Sequence, residues 1–208
     1  MHTGIGHGES FQALTEALKQ AVAALRDSRV SFMLGGSFAA WARGGPEPQN
    51  DLDVMVKPQD ADAALLALAG VGMRTERPPE EWLYKAWLNE VMIDVIFRPS
   101  GVDMTDEVFE RAEEIAVMAV ATPVMALEDV LVTMLMAIDE HTLDYSRVVG
   151  IARSLREQID WPQLRARTAR SPYAKAFFTL VEELGVAPRH PEAQPEPSNR
   201  VRVLPGAG

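Results

Sequence analysis

Apolar residues in the first 120 positions change their spacing repeatedly, which predicts alternating helices and strands. Phe11, Leu14, Leu18, Val22 and Leu25 recur at helical spacing, so an amphipathic helix is predicted over residues 10–27. Short apolar runs between turn residues predict strands over residues 30–34, 52–57, 73–77, 82–88, 91–97 and 116–121. Further helices are predicted over residues 37–43, 60–69 and 105–114. This part of the chain is therefore expected to form a sheet with flanking helices.

After Pro123 the pattern becomes helical throughout. Helices are predicted over residues 125–139, 142–157, 160–168 and 172–184. From residue 187 onward, five of the fourteen prolines occur with almost no apolar periodicity, which is typical of disorder. We therefore expect an α/β domain over residues 1–122, a helical domain over 123–186 and a disordered proline-rich tail over 187–208.

Composition limits the possible classes of protein. The 208 residues contain no cysteine, which excludes disulfides, thiolate metal sites and cysteine nucleophiles. No apolar run reaches about 18 residues, so no membrane segment is expected. The first ten residues lack the basic and apolar regions of a signal peptide, so the cytoplasm is the expected location.

The net charge of −10 argues against broad, sequence-independent binding of nucleic acid, which needs a basic surface. The charge is uneven, however. Residues 143–178 contain seven lysines and arginines against three acids. This segment is either a set of solvated helix faces with some ion pairs or a local basic surface for a phosphorylated partner.

Three aspartates give the most informative pattern. Asp51 and Asp53 lie two positions apart in an apolar run, so strand alternation points both side chains to one face. Asp94 lies inside a second strand-like run, where an ionised carboxylate is costly unless it is paired or binds a metal. Carboxylate oxygens are the ligands that Mg²⁺ prefers, so converging strands would make a magnesium site. The alternative is a turn acid followed by two acids that face water.

Gly35, Gly36 and Ser37 end the first predicted strand and open the helix that follows it. The backbone N–H groups of such a turn can hold phosphate. The same residues also fit a simple strand–helix turn with Ser37 as the N-cap. A phosphate cradle beside metal-binding carboxylates indicates phosphoryl or nucleotidyl transfer.

The order and spacing of these motifs resemble the signature of the polymerase-β-like nucleotidyltransferase superfamily, over roughly residues 28–98. Within it, the chain looks most like small bacterial stand-alone enzymes of the toxin or antibiotic-modifying type. The resemblance implies an α+β fold with a mixed sheet and flanking helices, followed by a C-terminal helical bundle. It also implies that Asp51 and Asp53 bind two Mg²⁺ ions, with Mn²⁺ as a possible substitute, and that Asp94 is the base or a further metal ligand.

Other charged residues are possible parts of such a site. Arg43 and Lys57 are candidates to bind nucleotide phosphates, together with Gly35, Gly36 and Ser37. Lys85 and Arg98 flank the predicted hairpin and are further candidates. Three acids, Asp139, Glu140 and Asp144, would approach the site if the helical domain folds back on the sheet.

These features predict an enzyme that moves a nucleoside monophosphate from a nucleoside triphosphate to a hydroxyl and releases pyrophosphate. The sequence leaves the acceptor open between a small molecule, a protein and tRNA. A cognate antitoxin is a possible partner. The alternatives are a non-catalytic nucleotide-binding partner or regulator in a toxin–antitoxin-like system, and an α/β protein whose acids are coincidental.

Overall fold

The computed structural model describes residues 7–48 and 51–189 of the chain. Within these residues, eight α-helices surround one mixed sheet of seven strands. The α+β class and the mixed sheet predicted from the sequence are confirmed. None of the helices in these ranges combines the length and apolar character needed to cross a membrane. Residues 190–208, which make up most of the predicted tail, lie outside the described part.

Helices and strands are interspersed up to residue 124, and only helices follow within the described residues. The helices are α1 (His7–Asp27), α2 (Gly36–Ala42), α3 (Ala61–Gly70), α4 (Asp106–Glu110), α5 (Leu127–Ala137), α6 (Ser146–Ser154), α7 (Trp161–Thr168) and α8 (Pro172–Glu183). The strands are β1 (Phe32–Leu34), β2 (Asp51–Val56), β3 (Arg74–Glu76), β4 (Leu83–Leu88), β5 (Val91–Ile96), β6 (Glu113–Val117) and β7 (Val120–Val124).

The strand order is β3-β4-β5-β2-β1-β7-β6. The pair β2–β5 and the pair β1–β7 are parallel, and the other neighbours are antiparallel. The central strand β2 is buried over most of its length, and its neighbour β1 is buried at every position. Such continuous apolar runs are typical of strands covered on both faces. The polar positions of β2 and β5 are therefore exceptions that need a separate explanation.

The helices α5 to α8 pack against one another, and α5 also packs against α2. Asp160 caps α7 by accepting a hydrogen bond from the backbone N–H of Gln163 at 3.0 Å. The predicted domain boundary at residue 122 falls inside β7, which pairs with β1 through Leu34 and Val124. The division of the chain into two domains therefore stays a prediction.

Two predicted elements were wrong. The helix predicted over 105–114 is only the short α4, since β6 begins at Glu113. The single strand predicted over 116–121 is a hairpin, whose turn residues Met118 and Ala119 have φ values of 50° and 63°. Two consecutive positive φ angles are the conformation of a type I′ turn, which normally uses Asn and Gly. The pair Met-Ala carries no such signal.

A fully buried carboxylate connects the helices. Asp129 of α5 is 0% exposed and accepts hydrogen bonds from Arg111, which follows α4, and from Arg167 of α7. Within the basic segment 143–178, Arg156 and Arg165 also form ion pairs, with Glu157 and Glu182. The interpretation of this segment as helix faces with ion pairs is confirmed for these three arginines.

The loss of stability on substituting Asp129 or its two arginine partners is expected to depend on which charge is left without a partner. Arg111 and Arg167 are 48% and 29% exposed, so both can turn to water if Asp129 is replaced. Asp129→Asn should therefore lower the free energy of unfolding by about 1–3 kcal/mol. The double variant Arg111→Met/Arg167→Met leaves the buried Asp129 carboxylate without a cationic partner. It should lower the free energy of unfolding by about 3–5 kcal/mol. Urea unfolding checks this order, and a larger loss for Asp129→Asn would contradict it.

Candidate active site

Two of the predicted carboxylates lie side by side on neighbouring parallel strands. Asp53 of β2 and Asp94 of β5 are register partners, so both side chains stand on the same face of the sheet. Asp51 begins β2 on that same face and is exposed. The three aspartates therefore share one face of the sheet, as the two-residue spacing predicted for Asp51 and Asp53.

The surroundings of Asp53 make its negative charge costly. Burial is the main cause that raises its pKa, from 3.8 to about 7, and the neighbouring charges of Asp94 and Asp51 raise it further. Arg147 and Lys85 act in the opposite direction and lower this pKa. The carboxylate thus lies in a place where additional positive charge would favour its ionised form.

The glycine turn between β1 and α2 lies directly on β2. The N–H of Gly35 donates to the carbonyl oxygen of Asp53 at 2.9 Å. Gly36 has a φ of +52°, and a Cβ added there would lie 1.6 Å from Asp53 Oδ2. A Cβ at Gly35 would lie 2.3 Å from Cε of Met55. Only glycines allow the turn to approach the carboxylate this closely, which explains the pair in physical terms.

Beside this turn lies a cleft of about 300 Å³. It is lined by residues from α2, from the loop that follows it, and from the start of α6: Ser37, Pro46, Glu47, Asp144, Ser146, Arg147, Gly150 and Ile151. A second cavity of about 300 Å³ adjoins it and shares Asp144 and Arg147. The helical part of the chain therefore does fold back towards the glycine turn, and Asp144 reaches the cleft. Asp139 instead accepts hydrogen bonds from the hydroxyl of Thr142 and from the backbone N–H groups of His141 and Thr142, which lower its pKa.

Two predicted phosphate-binding residues lie in other surroundings. The guanidinium of Arg43 pairs with Glu113 at 3.0 Å and donates to the carbonyl oxygens of Val124 and Met125. These contacts of Arg43 hold the end of α2 against β6 and the end of β7. Lys57 follows the far end of β2, about 13 Å along the strand from Asp53, and pairs there with Asp106. The structure does not bring either side chain to the carboxylates.

Arg147 is the cleft residue that the sequence did not single out. It was only one of the seven cations of the basic segment. Its position gives a signal that could have found it, because it is the second residue of α6. A cation in the first turn of a helix is unfavourable next to the positive end of the helix dipole. Such a residue has a reason to be there other than helix stability.

The carboxylates fit a divalent cation by their chemistry. Hard oxygen donors stand side by side, and burial together with mutual repulsion raises the pKa of Asp53, a penalty that a cation would relieve. Among the described residues, no three acids or histidines are gathered closely enough to hold a metal ion. Asp94 instead accepts a hydrogen bond from Lys85. Asp51, Asp53 and Asp94 are the side chains available to such an ion.

Solved structures share the fold of this chain. The chain is similar to ANT(2″)-Ia in complex with adenylyl-2″-tobramycin, with a TM-score of 0.60, 11% identity, and coverage of 78% of this chain and 98% of that one. It is also similar to the solution structure of the antibiotic-resistance factor ANT(2″)-Ia, with a TM-score of 0.58, 11% identity, and coverage of 84% and 97%. The fold is that of a nucleotidyltransferase.

A family profile then identifies the chain more closely. The family described as "Uncharacterised nucleotidyltransferase" matches residues 12–182, so the chain belongs to this nucleotidyltransferase family. No curated protein matches the sequence. The family and the fold confirm both the predicted enzyme and the resemblance to the polymerase-β-like superfamily.

Gly36→Ala should destabilise the protein by more than backbone strain alone. Gly72 also has a positive φ, +85°, but a Cβ there meets nothing within 4 Å, which makes Gly72→Ala a matched control. The control should lose about 1–2 kcal/mol of unfolding free energy from strain. Gly36→Ala should lose more, since its methyl group displaces the Asp53 carboxylate. Urea unfolding of both variants measures the difference, and equal losses would contradict the close fit.

Asp53 should make the metal-free protein less stable as the pH rises. Its pKa is about 7 in the folded chain and 3.8 ordinarily, so the folded state binds more protons between these values. The contribution of Asp53 to folding stability is therefore largest below about pH 4 and decreases as the pH rises to about 7. In EDTA, Asp53→Asn should raise Tm by several degrees at pH 8, and the gain should shrink towards pH 4. A gain that does not change with pH would contradict this assignment.

Proposed function

We propose that this protein transfers a nucleoside monophosphate from a nucleoside triphosphate to a hydroxyl of a small molecule and releases pyrophosphate. The observation that carries the proposal is the placement of Asp53 and Asp94 in register, directly beside the Gly35–Gly36 turn. Carboxylates suited to a metal and backbone N–H groups suited to phosphate are what nucleotidyl transfer requires.

Each group has a proposed role. Asp51, Asp53 and Asp94 hold Mg²⁺, which when bound neutralises charge on the phosphates and favours in-line displacement. The N–H groups of Gly36 and Ser37, at the start of α2, and the hydroxyl of Ser37 bind the terminal phosphates. Arg147 adds positive charge on the helical side of the same cleft.

The reaction balances with these residues. The acceptor oxygen forms a bond to the α-phosphorus, and the bond from that phosphorus to the α–β bridging oxygen breaks. The electron pair leaves with pyrophosphate, and the hydroxyl proton passes to the carboxylate of Asp94.

The cleft supports a small acceptor that carries amino groups. Its volume of about 300 Å³ is in the range of small-molecule sites. Glu47 and Asp144 place carboxylates on its wall, where they would attract a cation. Aminoglycosides are the first compounds to test, because the similar fold of ANT(2″)-Ia was solved with adenylyl-2″-tobramycin. Protein side chains and tRNA remain in the test as competing acceptors.

The proposal is tested by a transfer assay with each α-labelled nucleoside triphosphate, Mg²⁺, and separate pools of aminoglycosides, proteins and tRNA. Wild type should release pyrophosphate and label the aminoglycoside pool. Asp94→Asn should reduce the rate by about 10²–10⁴-fold. Asp62→Asn is the matched control, since Asp62 is an exposed acid of α3 that pairs with Arg77, and it should keep the wild-type rate.

The other outcomes of this assay point elsewhere. Label on protein or tRNA would support nucleotidyl transfer but would contradict a small-molecule acceptor. Nucleotide binding without transfer to any pool would favour the alternative of a non-catalytic nucleotide-binding partner. Equal rates for wild type and Asp94→Asn would contradict the role given to the three aspartates.

A further inference from the structure

A lysine stands in line with the two central carboxylates. Lys85 of β4 is the register partner of Asp94 on β5, and Asp94 is the register partner of Asp53 on β2. Because register partners share a face, one cation and two anions form a row across three neighbouring strands. Lys85 lies on the opposite side of Asp94 from Asp53.

The contact between Lys85 and Asp94 is direct and shielded from water. The Nζ of Lys85 donates to Oδ1 of Asp94 at 2.8 Å, and it also lies 3.5 Å from Sδ of Met92 on the same strand face. The side chains of Lys85 and Asp94 are only 26% and 16% exposed. Charges at this depth interact more strongly than a surface pair, and salt screens them less.

This ion pair limits how Asp94 can contribute to a metal site shared with Asp53. Asp94 has one oxygen engaged by an ammonium group, so it is not free to turn fully towards a cation between itself and Asp53. The ammonium supplies the positive charge that the row of carboxylates needs, and the pKa of Asp53 is lowered by it.

We propose that Lys85 is a positioning residue that competes with the divalent cation for Asp94. Before the metal arrives, the lysine holds the carboxylate and satisfies its charge. For Asp94 Oδ1 to bind a metal ion, its hydrogen bond from Lys85 Nζ would have to break. This inference rests on the proposed function, because it assumes that Asp94 is a metal ligand.

The test is a titration of the full chain with Mn²⁺, in which electron paramagnetic resonance reports free Mn²⁺. Lys85→Met removes the competing charge at nearly constant length. It should bind Mn²⁺ with a Kd at least about ten-fold lower than wild type. Lys85→Arg keeps a cationic donor and should restore the wild-type Kd.

A matched control separates competition from simple loss of stability. Arg165 and Glu182 form an ion pair of similar burial, with side chains 29% and 18% exposed, that links α7 to α8. Arg165→Met should lower Tm in EDTA, as Lys85→Met should, because each leaves a shielded carboxylate behind. Added Mn²⁺ should restore Tm in Lys85→Met beyond its effect on wild type. Added Mn²⁺ should raise the Tm of Arg165→Met by no more than it raises the Tm of wild type.

Three results would overturn the inference, and they can be told apart. If Lys85→Met and wild type have the same Kd while Asp53→Asn abolishes Mn²⁺ binding, the competition is refuted and the proposed function stands. If Lys85→Met binds Mn²⁺ more weakly, the lysine supports the metal site instead of competing for it. If no form of the protein binds Mn²⁺, with or without a nucleoside triphosphate, the inference and the metal-dependent function both fail.

Discussion

Two carboxylates side by side on parallel strands impose the main electrostatic constraint on this protein. Asp53 and Asp94 cannot both be ionised next to each other in a partly buried place without nearby positive charge. Two cations from neighbouring elements supply this positive charge. Lys85 approaches from the neighbouring strand, and Arg147 approaches from the first turn of α6, where a cation does not help the helix.

The sequence was sufficient to predict the part of the site that strand geometry determines. Period-two alternation places Asp51 and Asp53 on one face, and the apolar run around Asp94 places it on another strand. The glycine pair was also recognisable, although its reason was not. The close approach of Gly36 to the Asp53 carboxylate depends on how α2 crosses β2, which no local pattern contains.

What the sequence did not predict depends on contacts between distant segments. Arg43 and Lys57 were chosen because they are cations near the motifs along the chain. In the fold, Arg43 reaches residues more than eighty positions later, and Lys57 lies at the opposite end of its strand. Arg147 comes to the cleft from more than fifty residues beyond Asp94. The hairpin of β6 and β7 was missed for a local reason, since Met118 and Ala119 adopt a turn conformation that their side chains disfavour.

The parallel pairing of β1 with β7 has a consequence for how the protein is made. The open edge of β1 is paired only when Leu34 meets Val124, which is synthesised ninety residues later. At a synthesis rate of about 5–20 residues per second, this interval lasts about 5–20 seconds. Throughout it, the wholly apolar strand Phe32–Leu34 carries unpaired backbone groups along one side, which is the kind of edge that recruits strands from other chains. This edge of β1 can thus be covered by its own chain only when β7 has emerged from the ribosome.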